Sequence, residues 1–242
     1  MIHTERCWLL PAGLVLACCS LGAQTVNVKG RVTLETAKGR AANSSDAVIW
    51  LNPSNSTAAL PNVPSTPAPA HFRLVQKNKR FVPHILVVPL GAVVDFPNDD
   101  PFFHNVFSLF DGKRFDLGLY EAGTTRAVNF NSPGVSYIFC NIHPQMSAVV
   151  IVTQSPYYAI SSADGDFTIN NVLPGRYQLN VWHERCLPET LKSLFREVDI
   201  LPGSFSLGEI RLVESGGLLA KHKNLYGRDY EPPPPAGSYN QP

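Results

Sequence analysis

Short runs of Val, Ile, Phe and Tyr, each ended within a few residues by Gly, Pro, Asn or Asp, recur along most of this sequence. Those at residues 26–28, 47–51, 84–88, 92–96, 135–139, 148–152, 166–169, 176–182 and 208–213 read as strands, and their spacing implies antiparallel sheets. An all-β chain is therefore expected. Its 242 residues can hold two cores. The first domain is expected over residues 24–154, with a Pro- and Ser-rich loop at 53–70. A smaller β-sandwich is expected over residues 155–215, where Tyr177, Leu179 and Val181 alternate with Gln178, Asn180 and Trp182. About sixty residues make a marginal core, so this unit is expected to lean on the first. Residues 216–242 are polar, with Pro232 to Pro235 in a row, and read as a disordered or polyproline tail.

A net charge of +1 with 16% charged residues gives no field suited to nucleic acid or a polyanionic substrate. Residues 1–23 read as an export signal: His3 and Arg6 open a polar start, residues 8–17 are mostly apolar, and small residues lead to Ala23. The apolar run is too short for a membrane span, which needs ~20 residues. Export to the periplasm is expected, with Gln24 as first mature residue. Residues 15–18 (Val-Leu-Ala-Cys) also resemble a lipobox, so lipidation at Cys18 is the alternative, and membrane contact is expected only in that case. Of five cysteines, Cys7, Cys18 and Cys19 fall in the signal, leaving Cys140 and Cys186, which could form a disulfide in an oxidising compartment.

Cys140, His143 and Met146 are spaced Cys-x2-His-x2-Met between two strand runs, and Met146 is the only methionine after Met1. Thiolate, imidazole and thioether are soft donors that select copper when a second imidazole joins them. The candidate for that imidazole is His104, in the stretch Asn98-Asp99-Asp100-Pro101-Phe102-Phe103-His104-Asn105-Val106. A disulfide explains neither His143 nor Met146 at their offsets. Zinc also accepts Cys and His, but a methionine ligand argues against it. The remaining polar candidates have ordinary readings. His84 opens an apolar strand and reads as a packed or surface residue; His183, Glu184 and Cys186 fit no compact ligand spacing; His71 and His222 read as exposed in a loop and in the tail. Asp99 and Asp100 read as solvated turn residues, and Trp50 and Trp182 as packing residues of their own sandwiches.

The segments Phe96-Pro97-Asn98-Asp99, His104-Asn105-Val106 and Phe139-Cys140-Asn141-Ile142-His143-Pro144-Gln145-Met146 resemble the cupredoxins, with a ligand loop most like that of amicyanin. The resemblance covers residues 72–153. It implies a Greek-key β-sandwich holding one mononuclear type 1 (blue) copper on His104, Cys140, His143 and Met146, with Asn105 tying the two ligand loops together. It also implies single-electron transfer with a redox protein such as a c-type cytochrome or a dehydrogenase. Residues 162–169 and 173–177 resemble the carboxypeptidase regulatory-like (transthyretin-like) sandwiches, modules that bind or brace and carry no catalysis. Chains combining the two resemble exported bacterial proteins of the methylamine-utilisation-like kind. Multicopper oxidases and copper nitrite reductases use His-x-His pairs, which this sequence lacks. A carrier with no enzymatic turnover is therefore expected; copper storage, delivery or a structural binding module is the alternative.

Overall fold

The computed structural model describes residues 24–54, 70–109, 112–215 and 223–230. The expected export signal, most of the Pro-rich loop, and the tail at 216–222 and 231–242, His222 included, lie outside the described residues. The chain opens with β1 (Val26–Thr36), β2 (Ala41–Ala42) and β3 (Val48–Pro53). There follow β4 (His71–Arg73), β5 (Val75–Gln76), β6 (Phe81–Val82), β7 (Ile85–Pro89), β8 (Ala92–Pro97), β9 (His104–Ser108), β10 (Phe115–Tyr120), β11 (Thr125–Phe130), β12 (Gly134–Phe139) and β13 (Ser147–Thr153). It closes with β14 (Tyr158–Ile160), β15 (Asp166–Val172), β16 (Gly175–Trp182), the short helix α1 (Pro188–Ser193), β17 (Arg196–Ile200) and β18 (Phe205–Glu214). The class is all-β, as the strand runs imply.

The strands group differently from the expected split at residue 154. β1 pairs antiparallel with β15 and parallel with β18, and β3 lies between β14 and β16. The first thirty or so described residues thus complete the sandwich of the C-terminal strands, and β4–β13 form a second sandwich set between β3 and β14. The physical reason is a match of face and length. β1 turns Val26, Val28, Val32 and Leu34 inward along 11 residues, and its neighbour β18 offers Leu207, Ile210 and Leu212 along 10. Alternation fixes which face of a strand is buried, but nothing in it names the partner. The Asp164-Gly165 turn is pressed against β1: Val32 donates its N–H to the Gly165 carbonyl at 2.8 Å, and a Cβ on Gly165 (φ +82°) would sit 1.9 Å from the Val32 oxygen.

In the inserted sandwich one sheet runs β10-β9-β12-β13-β7 and the other β11-β8-β4. The uninterrupted apolar run of β13 follows from burial on both faces. Ala148, Val150 and Val152 join the core with Phe96, Val106 and Ile138, and Val149 and Ile151 face Val48 and Trp182 of the other sandwich. Trp50 and Trp182 therefore pack at the junction of the two sandwiches, with Tyr137 beside Trp182 at a ring separation of 6.4 Å. This corrects their assignment to separate cores.

A charged contact also crosses that junction. His84, just before β7, places Nδ1 3.1 Å from the Ser147 carbonyl and Nε2 2.5 Å from a carboxylate oxygen of Glu184. Two acceptors on one ring favour the imidazolium. The bond to Glu184 holds the His84 pKa above its ordinary 6.5 despite burial, and the same bond holds Glu184 below 4.5. The raised histidine pKa stabilises the fold fully below pH 6.5 and loses its effect as pH rises through the folded value. The depressed carboxylate acts above pH 4.5 and loses its effect as pH falls through its folded value. His84 is 44% exposed, so screening limits the pair to ~0.5–1 kcal/mol. Glu184→Gln is expected to lower the melting temperature by about 1–3 °C near pH 6. The difference should shrink at pH 9; a pH-independent difference would remove this pair as its cause.

Candidate metal centre

β9 and the connection between β12 and β13 meet at one end of the inserted sandwich, where Phe139 of β12 pairs with Phe107 of β9. His104 is the first residue of β9 and is fully buried. Cys140 follows β12 directly, and residues 140–146 form a tight loop back to β13, closed by Cys140 N–H to the Met146 carbonyl at 3.2 Å and Met146 N–H to the His143 carbonyl at 3.0 Å. One donor therefore comes from a strand and the others ride on a single loop.

The geometry of the donors is compact. The two histidine Nδ1 atoms are 3.1 Å apart, and Cys140 Sγ lies 3.8 Å from that of His104 and 3.7 Å from that of His143. A point equidistant from all three sits about 2 Å from each, close to the length of a transition-metal bond to imidazole. Among the described residues, His104, Cys140 and His143 are the group of His, Cys, Asp and Glu side chains that could hold a metal ion. Met146 is fully buried in the same apolar cluster as Cys140.

Protonation suits this use. Burial pushes the His104 imidazole below its ordinary pKa and, with the His104 ring beside it, brings His143 down to about 4. Both rings are neutral at neutral pH and keep a lone pair for a metal. Burial raises the Cys140 thiol, opposed by the backbone N–H groups of Asn105, Ile142 and His143, which favour the thiolate. Asn105 thus links the His104 strand to Cys140 through its backbone, and its side-chain amide donates to Asp116 of β10 at 2.7 Å.

Asp100 corrects the sequence expectation most sharply. Its carboxylate is 5% exposed, where a solvated turn residue was expected, and it accepts a hydrogen bond from His104 Nε2 at 2.8 Å. That bond places the ring proton on Nε2 and leaves Nδ1 facing Cys140 and His143. Asn78 and Lys79, both left-handed at φ +55° and +54°, donate their N–H groups to the same carboxylate at 2.6 and 2.9 Å. Two successive left-handed residues form a nest for an anion, and here the anion is the Asp100 side chain. Burial alone would raise the Asp100 pKa, but the bonds from Lys79, His104 and Asn78 hold it below its ordinary value.

Two further contributors were not singled out from the sequence. Phe102 lies edge-on to His104 at 5.2 Å and tilted against His143 at 5.7 Å, so one ring covers both imidazoles. Residues 223–230, in the expected disordered tail, instead form an ordered turn against the ligand loop. Leu225 N–H donates to the Asn141 side-chain oxygen at 2.8 Å, and the Tyr230 hydroxyl donates to the Cys140 carbonyl at 2.9 Å. Tyr226 and Tyr230, close together in a largely polar tail, are the available signal.

The other candidates lie away from this cluster. Cys186 is a buried free thiol in the core of the composite sandwich and is not paired with Cys140. His183 is buried and bonds the Ser45 carbonyl at 3.2 Å. His71 is exposed on β4, where a loop was expected, 2.9 Å from Asp95.

No protein-family model and no curated protein matches this sequence. Among solved structures, a copper-containing nitrite reductase from Thermus scotoductus SA-01 is similar over 36% of this chain and 23% of its own, at 24% identity and a TM-score of 0.32. A purple cupredoxin from Nitrosopumilus maritimus is similar over 35% of this chain and 99% of its own, at 26% identity and a TM-score of 0.30. A reduced amicyanin variant is similar over 36% of this chain and 85% of its own, at 19% identity and a TM-score of 0.33. Likenesses this low carry no chemistry over; the donor set has to supply it.

Proposed function

We propose that this protein is an exported electron carrier in which His104, Cys140 and His143, with Met146 as a weaker fourth donor, would hold one mononuclear type 1 copper. The observation that carries the reading is the triangle of two imidazole nitrogens and one thiol sulfur, 3.1 to 3.8 Å on its edges. Copper on such a set supplies one-electron redox chemistry. The protein's part is to hold the donors still. Asp100 fixes the His104 ring, the hydrogen bonds of the 140–146 loop fix Cys140 and His143, and Phe102 shields both rings. Ligands fixed in this way move little between oxidation states, which favours fast electron exchange. Phe103 and Ile142, exposed to 56% and 45%, flank two of the ligands in sequence and offer apolar contact to a redox partner. A c-type cytochrome or a dehydrogenase is the class proposed, and the export signal read in residues 1–23 supports a meeting in the periplasm.

The test is Cu(II) titration of the metal-free protein, followed by voltammetry. An intense visible thiolate-to-copper band saturating at one equivalent, with a reversible one-electron wave, is expected. Binding without that band would overturn the type 1 assignment. A band without electron exchange with any cytochrome or dehydrogenase would turn the reading to storage or delivery.

A further inference from the structure

We propose that the C-terminal hook at residues 223–230 is a clamp on the ligand loop, which must release before copper can leave. The inference rests on the copper reading above and concerns how the metal is retained.

The hook is built to keep its shape without help from either sandwich. Asn224 N–H donates to the Arg228 carbonyl and Gly227 N–H to the Asn224 carbonyl, both at 2.9 Å. The Asn224 side-chain oxygen accepts from the N–H groups of Tyr226 and Arg228, both at 3.0 Å. Lys223 pairs with Asp229 across the turn. A segment cross-linked in this way has little entropy left to lose on docking, so its few outward bonds act at nearly full strength.

Those outward bonds converge on one place. Leu225 N–H reaches the Asn141 side chain and the Tyr230 hydroxyl reaches the Cys140 carbonyl, so one holds the Asn141 side chain and the other the peptide before it. Tyr230 is partly buried there, and burial pushes its hydroxyl above its ordinary pKa, so it stays a donor. Cys140 N–H to the Met146 carbonyl already ties the two ends of the loop to each other, and Met146 N–H to the His143 carbonyl tightens its far half. The hook ties this closed loop down from outside.

The consequence follows from where the donors sit. His104 is fixed in β9 with its ring bonded to Asp100. Cys140, His143 and Met146 share one loop, so copper leaves by displacement of that loop while the strand stays put. Swinging the loop outward carries the Cys140 carbonyl away from Tyr230 and Asn141 away from Leu225. Exit therefore requires both bonds to break. Binding of the metal is unaffected to first order, because the bonds are present before and after uptake.

Two single changes in the full-length protein test this without touching a core. Tyr230→Phe removes the hydroxyl, and Leu225→Pro removes the N–H. Transfer of Cu(I) to a colorimetric Cu(I)-specific chelator is expected to quicken about 5-fold in either variant and about 20-fold or more in the double variant. The wavelength of the Cu(II) band should stay within a few nanometres and the melting temperature should be unchanged. Amide hydrogen exchange at Ile142 and His143 of the metal-free protein is expected to quicken in parallel. Wild-type release rates with wild-type amide exchange in the double variant would overturn the clamp. Failure of the wild-type protein to bind copper would overturn the copper reading instead, and amide exchange would still decide whether the hook holds the loop.

Discussion

Leu34→Asp is expected to unfold the composite sandwich and to spare the inserted one, which carries the His104, Cys140 and His143 cluster. Leu34 is 1% exposed on β1, opposite Leu212 of β18, in a core that includes Val26, Val28, Val32, Ile169 and Phe167. Each buried aliphatic side chain on β1 contributes ~1.5–3 kcal/mol. A carboxylate in place of one loses that and adds an unpaired buried charge, together exceeding much of the ~5–15 kcal/mol that holds a domain. Two probes separate the outcomes. Trp50 and Trp182 sit on β3 and β16 of the composite sandwich, so their fluorescence reports on it. The visible band of bound copper reports on the other, whose core of Leu74, Phe96, Val150 and their neighbours shares no residue with that of Leu34. Loss of the cooperative tryptophan transition with retention of the band is expected at room temperature. Loss of the band together with Trp50's share of the tryptophan signal, with Trp182's share retained, is what a single domain over residues 24–154 requires, and it would overturn the pairing of β1 with β15 and β18.

That contrast marks where the sequence stops being legible. The runs at 92–96, 135–139 and 148–152 were readable as strands because alternation and turn residues are local properties. The destination of β1 was not, since β15 and β18, which flank it in the sheet, lie more than 130 residues downstream and its own pattern fits any sheet with one buried face. The run Ala148 to Val152 reads as a strand, but nothing local accounts for its unbroken apolarity. Burial between two sandwiches does.

At the site, the cluster of His104, Cys140 and His143 is legible because thiol and imidazole side chains are rare here and the spacing of two of them is local. Their support was less so. Asp100 looked like one more acid in a Pro-bounded turn, and its role depends on Asn78 and Lys79 turning their N–H groups toward it from another hairpin. Tyr230 stands 90 residues from the carbonyl it bonds. Residues that hold a site from a distance leave no periodic trace, and only the fold brings them to it.

Cys140→Ser is expected to abolish the intense visible band and to weaken copper binding more than the ~10–100-fold typical of losing an outer partner of a ligand. The sulfur is the soft, charge-donating member of the set, and the band is its own electronic transition to the metal. A serine hydroxyl in the same buried place stays protonated and offers only a weak neutral oxygen. Proton counting adds a second signature. Burial keeps the Cys140 thiol protonated at neutral pH, and it has to ionise to bind, so each copper releases one proton. His143 titrates at about 4 and His104 below its ordinary value, so neither contributes a proton at pH 7. Wild-type affinity should therefore rise about tenfold per pH unit between pH 7 and 8, above the ordinary imidazole range and below the raised thiol pKa. The serine variant should bind with almost no pH dependence in that range. Calorimetric titration in two buffers of different ionisation enthalpy reads the proton count directly. One proton for the wild type and none for Cys140→Ser is the expected pair, and a wild-type count of zero would remove Cys140 from the ligand set.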